Sequence, residues 1–210
     1  MGISKLEFVG IKLSDYNKLC QRLLVRSLSL KTRVGTSEML LLGDPCVIIG
    51  IDPALRSTGV SVIKASKKGF EGIYQGLLCP PTKLDHPALL AWIYSRVDSI
   101  LNREKPDLAV IEGLVYVQNF KTAFTLGEVR GCILTCLGHH NIPVVEVSPK
   151  KMKQAVTGYG NATKLAVAKM VKELLRLQST PAGDITDAIG LAIAGWIEIQ
   201  KTTKIPTQLQ

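Results

Sequence analysis

From Cys46 onward the apolar residues fall into short runs and helical stripes in a regular order. CVIIGI at 46–51, GVSVIKA at 59–65 and FEGIYQGLL at 70–78 read as three strands separated by short polar turns, SKKG among them. Such short connections favour antiparallel neighbours. Leu89, Leu90, Ile93, Val97, Ile100 and Leu101 then recur at helical spacing. Lys105-Pro106 punctuates that helix, and residues 107–112 form a fourth strand. A helix over about 121–137 precedes a fifth strand, PVVEV at 143–147, and strands that each follow a helix should pair in parallel. Ser148 as N-cap and Pro149 at the first helical position open a short helix to Val156. The loop Gly158-Tyr159-Gly160-Asn161 leads to a helix over about 162–177. After Pro181-Ala182-Gly183 a last helix runs from Asp184 to about Ile199. The pattern predicts an α/β domain with a five-stranded mixed sheet, three antiparallel then two parallel strands, flanked by helices.

Residues 1–45 read differently. Seven basic residues, Lys5 to Arg33, stand against Glu7, Asp15, Glu38 and Asp44, and patches such as LLVRSLSL fit neither a strand ladder nor a long helix. A disordered basic arm, an organelle transit segment and an upstream extension from a misassigned start are the three readings. The acidic residues count against a transit segment, and Met39 is a plausible initiator. The expected organisation is an extension at 1–45, the domain at 46–200 and a tail at 201–210.

At 210 residues with 46% hydrophobic content, the chain can bury one substantial core. The formal net charge of +9 points to a polyanionic partner, nucleic acid first and an anionic membrane surface second. No uninterrupted apolar run reaches about 18 residues, so no membrane span is expected. The five cysteines, Cys20, Cys46, Cys79, Cys132 and Cys136, are odd in number and contain no CxxC pair, which argues against a disulfide framework and a zinc site. Cys132 and Cys136 share a helix face and read as buried thiols. With no recognisable signal peptide, a reducing cytoplasm is expected. His86 opens a helix, and His139 and His140 close one, where they suit the helix dipole.

The chemistry is carried by carboxylates. Asp52 ends the first apolar run, Glu112 ends LAVI at 108–111, and Asp184 and Asp187 stand three apart at the start of the last helix. A charged residue ending a buried strand faces the crevice beyond the strand ends, where open α/β sheets place ligands. Carboxylates at i and i+3 share a helix face and can address one ion. Hard cations such as Mg²⁺ take oxygen ligands, and two of them can clamp a phosphodiester between attacking and leaving oxygens. Each residue has a plainer reading. Asp52-Pro53 can start a turn or open an actin-like ATPase fold, Asp184 can cap a helix, and Glu112 can pair with a lysine. Between Glu146 and Arg176 seven basic residues face two acidic ones. Lys169, Lys172 and Arg176 fit a solvated helix face, whereas Lys153 and Lys164 flank the glycine loop. Gly158 and Gly160 either form a turn or bring backbone N–H groups close to phosphate.

The order βββαβαβα is that of the ribonuclease H-like nucleases. GIDPALRSTG, IEGLVYVQN with LGEVRG, KKMKQAVTGYGNATK and DITDAIGLAIA resemble, in order and spacing, the signature segments of the RuvC Holliday junction resolvases. The resemblance runs from about Val47 to Ile197. It implies that Asp52, Glu112, Asp184 and Asp187 are metal-binding catalytic carboxylates holding two Mg²⁺ per subunit, with Mn²⁺ as a substitute. It places Lys153 and Lys164 near the scissile phosphate and makes Arg56, Tyr116, Lys150, Lys151, Gly158 and Gly160 candidate DNA contacts. Arg130 also matches a family position, with a structural or dimer-contact role expected. The implied protein is a homodimeric endonuclease that resolves four-way DNA junctions by paired nicks, working with a RuvA/RuvB-type branch-migration complex. Val115 stands where the family often has an aromatic residue, leaving Tyr116 to stack on bases, and Ala54 replaces a usual glycine. Three alternatives differ in substrate or class: a ribonuclease H-like nuclease acting on hybrids or flaps, a non-catalytic junction-binding protein, and an actin-like ATPase. The last needs a second glycine-rich phosphate loop, which Gly113-Leu114-Val115 does not supply.

Overall fold

The computed structural model describes residues 42–113 and 120–202. Five strands and five helices follow one another as β1 (Cys46–Asp52), β2 (Thr58–Ser66), β3 (Gly69–Leu78), α1 (His86–Glu104), β4 (Leu108–Glu112), α2 (Phe120–His139), β5 (Val144–Val147), α3 (Pro149–Thr157), α4 (Lys164–Leu174) and α5 (Gly183–Thr202). The sheet order is β3-β2-β1-β4-β5. β1 pairs antiparallel with β2, and β2 with β3, while β1–β4 and β4–β5 are parallel. This is the predicted mixed sheet. The parallel half places the carboxyl ends of β1 and β4 side by side.

Both faces of the central strands are buried, so their alternating residues feed two cores. Ile48 and Cys46 of β1, with Leu108 and Val110 of β4, pack under α3, α4 and α5. Ile49, Ile51, Ala109 and Ile111 pack under α1 and α2. Of the stripe predicted on α1, Leu89, Ile93, Val97, Ile100 and Leu101 are fully buried and Leu90 is partly so.

α5 lies almost on the backbone of the sheet. A Cβ on Gly50 would stand 2.0 Å from the carbonyl oxygen of Ala188 and 2.9 Å from the nitrogen of Ala192. One on Gly59 would stand 2.1 Å from the carbonyl oxygen of Asp184. Only glycine permits this approach, and the approach sets the height of the α5 N-terminus above the end of β1.

Two helix boundaries differ from the pattern. α4 ends at Leu174 rather than near residue 177, because Arg176 turns left-handed at φ 53° and the Leu177 N–H closes on the Lys172 carbonyl at 2.9 Å. That is a Schellman closure, which periodicity does not report. α5 starts at Gly183 and runs to Thr202, with the Thr186 N–H bonded to the Ala182 carbonyl. Asp184 is therefore a first-turn residue, not the cap.

At the edge of the expected extension, Leu42 packs on the core beneath α5, and Asp44 meets Lys67 at 3.5 Å. Residues 1–41 with Met39, residues 114–119 with Val115 and Tyr116, and residues 203–210 lie outside the described residues. Among the described residues no helix is long and apolar enough to cross a membrane.

Adding a methyl group at Gly50 forces α5 off the sheet. Gly50→Ala is expected to cost about 1–3 kcal/mol, read as a lower urea midpoint. An unchanged midpoint would show that α5 does not ride on β1 as described.

Candidate active site

Parity along the strands brings the first two carboxylates to one face. Asp52 follows Cys46, Ile48 and Gly50 in register, and Glu112 follows Leu108 and Val110, so both belong to the α5 side of the sheet. There they meet: the Asp52 and Glu112 carboxyl groups lie within hydrogen-bonding reach of each other. Asp184 and Asp187 approach from the first turns of α5, at the positive end of that helix. Ser57, in the turn after β1, donates from Oγ to Asp184 Oδ2 at 2.7 Å. Thr58, fully buried, clasps the same turn by donating to the Ala54 carbonyl at 2.6 Å and accepting from its N–H at 3.1 Å.

The four charges act on one another. Burial, then the negative charges of Glu112, Asp187 and Asp184, pushes Asp52 up to about 7. Glu112 is raised by burial and by Asp187, against the pull of Asp52, Lys164 and Arg130. Asp187 is raised by burial, and Asp184 adds to that, while Lys164 and Lys153 oppose it. Lys153 and Lys164 therefore both reach the field of the cluster, and Lys164 Nζ stands 3.8 Å from Asp187 Oδ2. The Lys164 side chain is 80% exposed, so this pair adds little stability; it holds a positive charge at the rim.

The remaining candidates lie around that rim. Gly158 ends α3 in the left-handed region at φ 81°, and Thr157 Oγ1 binds both the N–H and the carbonyl of Tyr159. A Cβ on Gly160 would sit 2.9 Å from Lys150 Cγ, so the loop and Lys150 are in contact. Lys150 is exposed, Lys151 partly so, and Arg56 is exposed beside Ser57. Tyr116 falls outside the described residues.

Arg130 has a sharper role than its sequence position suggested. It is 5% exposed, donates to the backbone carbonyl of Glu112, and its Nη2 lies 2.9 Å from Glu146 Oε1. A guanidinium buried under β4 fixes the strand end that carries Glu112. Ser57, which the sequence did not single out, joins it as a positioning residue. The available signals were an arginine inside an otherwise amphipathic helix and a lone glutamate in PVVEV.

The donor set suits hard divalent cations: four carboxylates, partly dry, whose mutual repulsion a cation relieves. Among the described residues, the three metal-ligating atoms that lie within 4.8 Å of one another belong instead to Asp98, Cys136 and His140. The four carboxylates are set more widely than that. A groove of about 940 Å³ lies elsewhere, between the β2–β3 turn and the end of α4, and none of the four carboxylates lines it.

The pH dependence follows from Asp52. Its folded pKa of about 7 exceeds its ordinary 3.8, so between those values the fold holds a proton that the unfolded chain has lost. Stability of metal-free protein is expected to fall as pH rises through that window. Asp52→Asn should flatten the decline and raise Tm above pH 7 in chelator by roughly 5 °C. Thermal melts across pH check this, and an unchanged slope would contradict the clustering.

Among known proteins, the crossover junction endodeoxyribonuclease RuvC family matches residues 48–195. A crossover junction endodeoxyribonuclease RuvC from Carboxydothermus hydrogenoformans is 38% identical over 154 residues, covering 72% of this chain and 96% of the relative. One from Caldicellulosiruptor saccharolyticus is 39% identical over 150 residues, covering 70% of this chain and 89% of the relative. The structure of Thermus thermophilus RuvC in complex with a Holliday junction substrate is similar in fold, with a TM-score of 0.72 at 24% identity over 75% of this chain and 97% of that one.

Proposed function

Because the chain belongs to the RuvC family of crossover junction endodeoxyribonucleases, we propose that it is a metal-dependent endonuclease that resolves four-way DNA junctions. The observation that carries this reading is the convergence of Asp52, Glu112 and Asp187, each raised by burial and by its neighbours, with Asp184 beside them. Two Mg²⁺ ions held by these four carboxylates, with Mn²⁺ as a substitute, would supply the positive charge and Lewis acidity that phosphodiester hydrolysis requires.

The chain's own residues then divide the work. Ser57 orients Asp184, and Arg130 holds the β4 end so that Glu112 faces Asp52. Lys164 and Lys153, beside Asp187, offset charge that builds on the phosphate. Arg56, Lys150 and Lys151 bind the DNA backbone, with the N–H groups around Gly158 and Gly160 adding anion contacts. Tyr116 stacks on a base near the crossover. Two copies of the chain match the near two-fold symmetry of a junction, and exposed Phe124 on α2 offers an apolar contact for the second. A RuvA/RuvB-type complex presents the junction. The nuclease proper spans residues 46–200, with 1–45 and 201–210 as extensions. The free thiols of Cys46, Cys79, Cys132 and Cys136 suit a cytoplasmic site of action.

Cleavage of a synthetic four-way junction, with Mg²⁺ and with chelator, tests the reading. Symmetric nicks that require Mg²⁺ are expected, with RNA–DNA hybrids and flaps cut far more slowly; preference for a hybrid would favour the other ribonuclease H-like substrate class. Asp187→Asn and Glu112→Gln are expected to abolish cutting while junction binding persists, because the amides keep shape and lose the charge that holds Mg²⁺. Near wild-type cutting by Asp187→Asn would remove the α5 carboxylates from the site.

Lys153 and Lys164 should act on the chemical step. Single-turnover cleavage by excess Lys153→Ala enzyme is expected to slow by about 100-fold, whereas Lys169→Ala should leave the rate at saturation unchanged. Equal rates for Lys153→Ala and wild type, with only weaker binding, would reduce Lys153 to a backbone contact.

A further inference from the structure

At the other end of the α1–α2 pair from the carboxylate rim, a second cluster joins three residues the nuclease chemistry does not use. Cys136 and His140 are one helical turn apart at the close of α2, and Asp98 faces them from α1. Asp98 Oδ1 lies 2.7 Å from His140 Nε2, and one ligand atom from each residue falls within a 4.8 Å set with Cys136 Sγ. We propose that Asp98, Cys136 and His140 form a binding site for a zinc-like divalent cation, with water completing a tetrahedron.

The donor types select the ion. A thiolate, an imidazole and one carboxylate oxygen suit Zn²⁺ or Co²⁺ and reject Mg²⁺, which asks for oxygen alone. Asp98 is already oriented: its Oδ2 accepts from Asn102 Nδ2 at 3.0 Å, and its Oδ1 shares a hydrogen bond with His140 Nε2 at 2.7 Å, a contact the ion would replace. Metal ligands are commonly held in this way by a second hydrogen bond. Access is from the surface: the Asp98 side chain is 38% exposed and that of His140 22%, over a buried Cys136. A cysteine ligates as its thiolate, so binding releases a proton to solvent and affinity should rise with pH. The missing CxxC spacing does not bear on this site, whose ligands come from two helices.

Such an ion would pin the C-terminus of α2 to α1, and so steady the helix that carries Arg130. Co²⁺ titration of the metal-stripped full chain, in excess Mg²⁺ to occupy the carboxylate rim, tests this. One equivalent of Co²⁺ should produce a thiolate-to-cobalt charge-transfer band and tetrahedral visible bands. Cys136→Ser should lose the charge-transfer band, and Asp98→Asn and His140→Gln should weaken binding at least about tenfold. Zn²⁺ should displace Co²⁺ and raise Tm in wild type more than in His140→Gln. The two half-exposed variants decide the matter if Cys136→Ser folds poorly, with circular dichroism as the check. A band that survives all three substitutions, or no band in the wild type, would overturn the proposal.

Discussion

Four half-buried carboxylates gathered at one end of a sheet repel one another, and the rest of the domain is arranged to hold them there. Burial and three neighbouring acids push the Asp52 carboxyl well above its ordinary range, to about 7. Charge of one sign in a low-dielectric rim is costly unless an opposite charge arrives. A centre built this way is high in energy when empty and favourable when filled by cations.

The fold meets that cost by rigidity. β1 and β4 run parallel, so their carboxyl ends coincide, and strand parity turns both acids to the same face. Gly50 and Gly59 let α5 descend until the Asp184 backbone nearly touches the turn into β2. Arg130 and Ser57 then fix what remains loose: one holds the backbone of Glu112, the other an oxygen of Asp184. Both determine where the charges stand.

Much of this was legible along the chain because it is local. An apolar run ending in Asp52, another ending in Glu112, and a 184–187 pair at a helix start each state their own geometry. The sheet order follows from short turns and intervening helices. What stayed hidden depends on contacts between distant segments. Ser57 and Asp184 are 127 positions apart, and Asp98 and His140 are 42 apart. The left-handed Arg176 ended α4 early without any glycine to announce it. Arg130, expected to be structural or at a dimer contact, is structural in a specific sense that only the packing of α2 on β4 and β5 reveals.

Crystals soaked in Mn²⁺ and measured for anomalous scattering test the account most directly. It requires Mn²⁺ peaks enclosed by oxygens of Asp52, Glu112, Asp184 and Asp187, and none of comparable height at Asp98, Cys136 and His140. Mn²⁺ bound elsewhere, with the four carboxylates free of metal at saturating concentration, would contradict it.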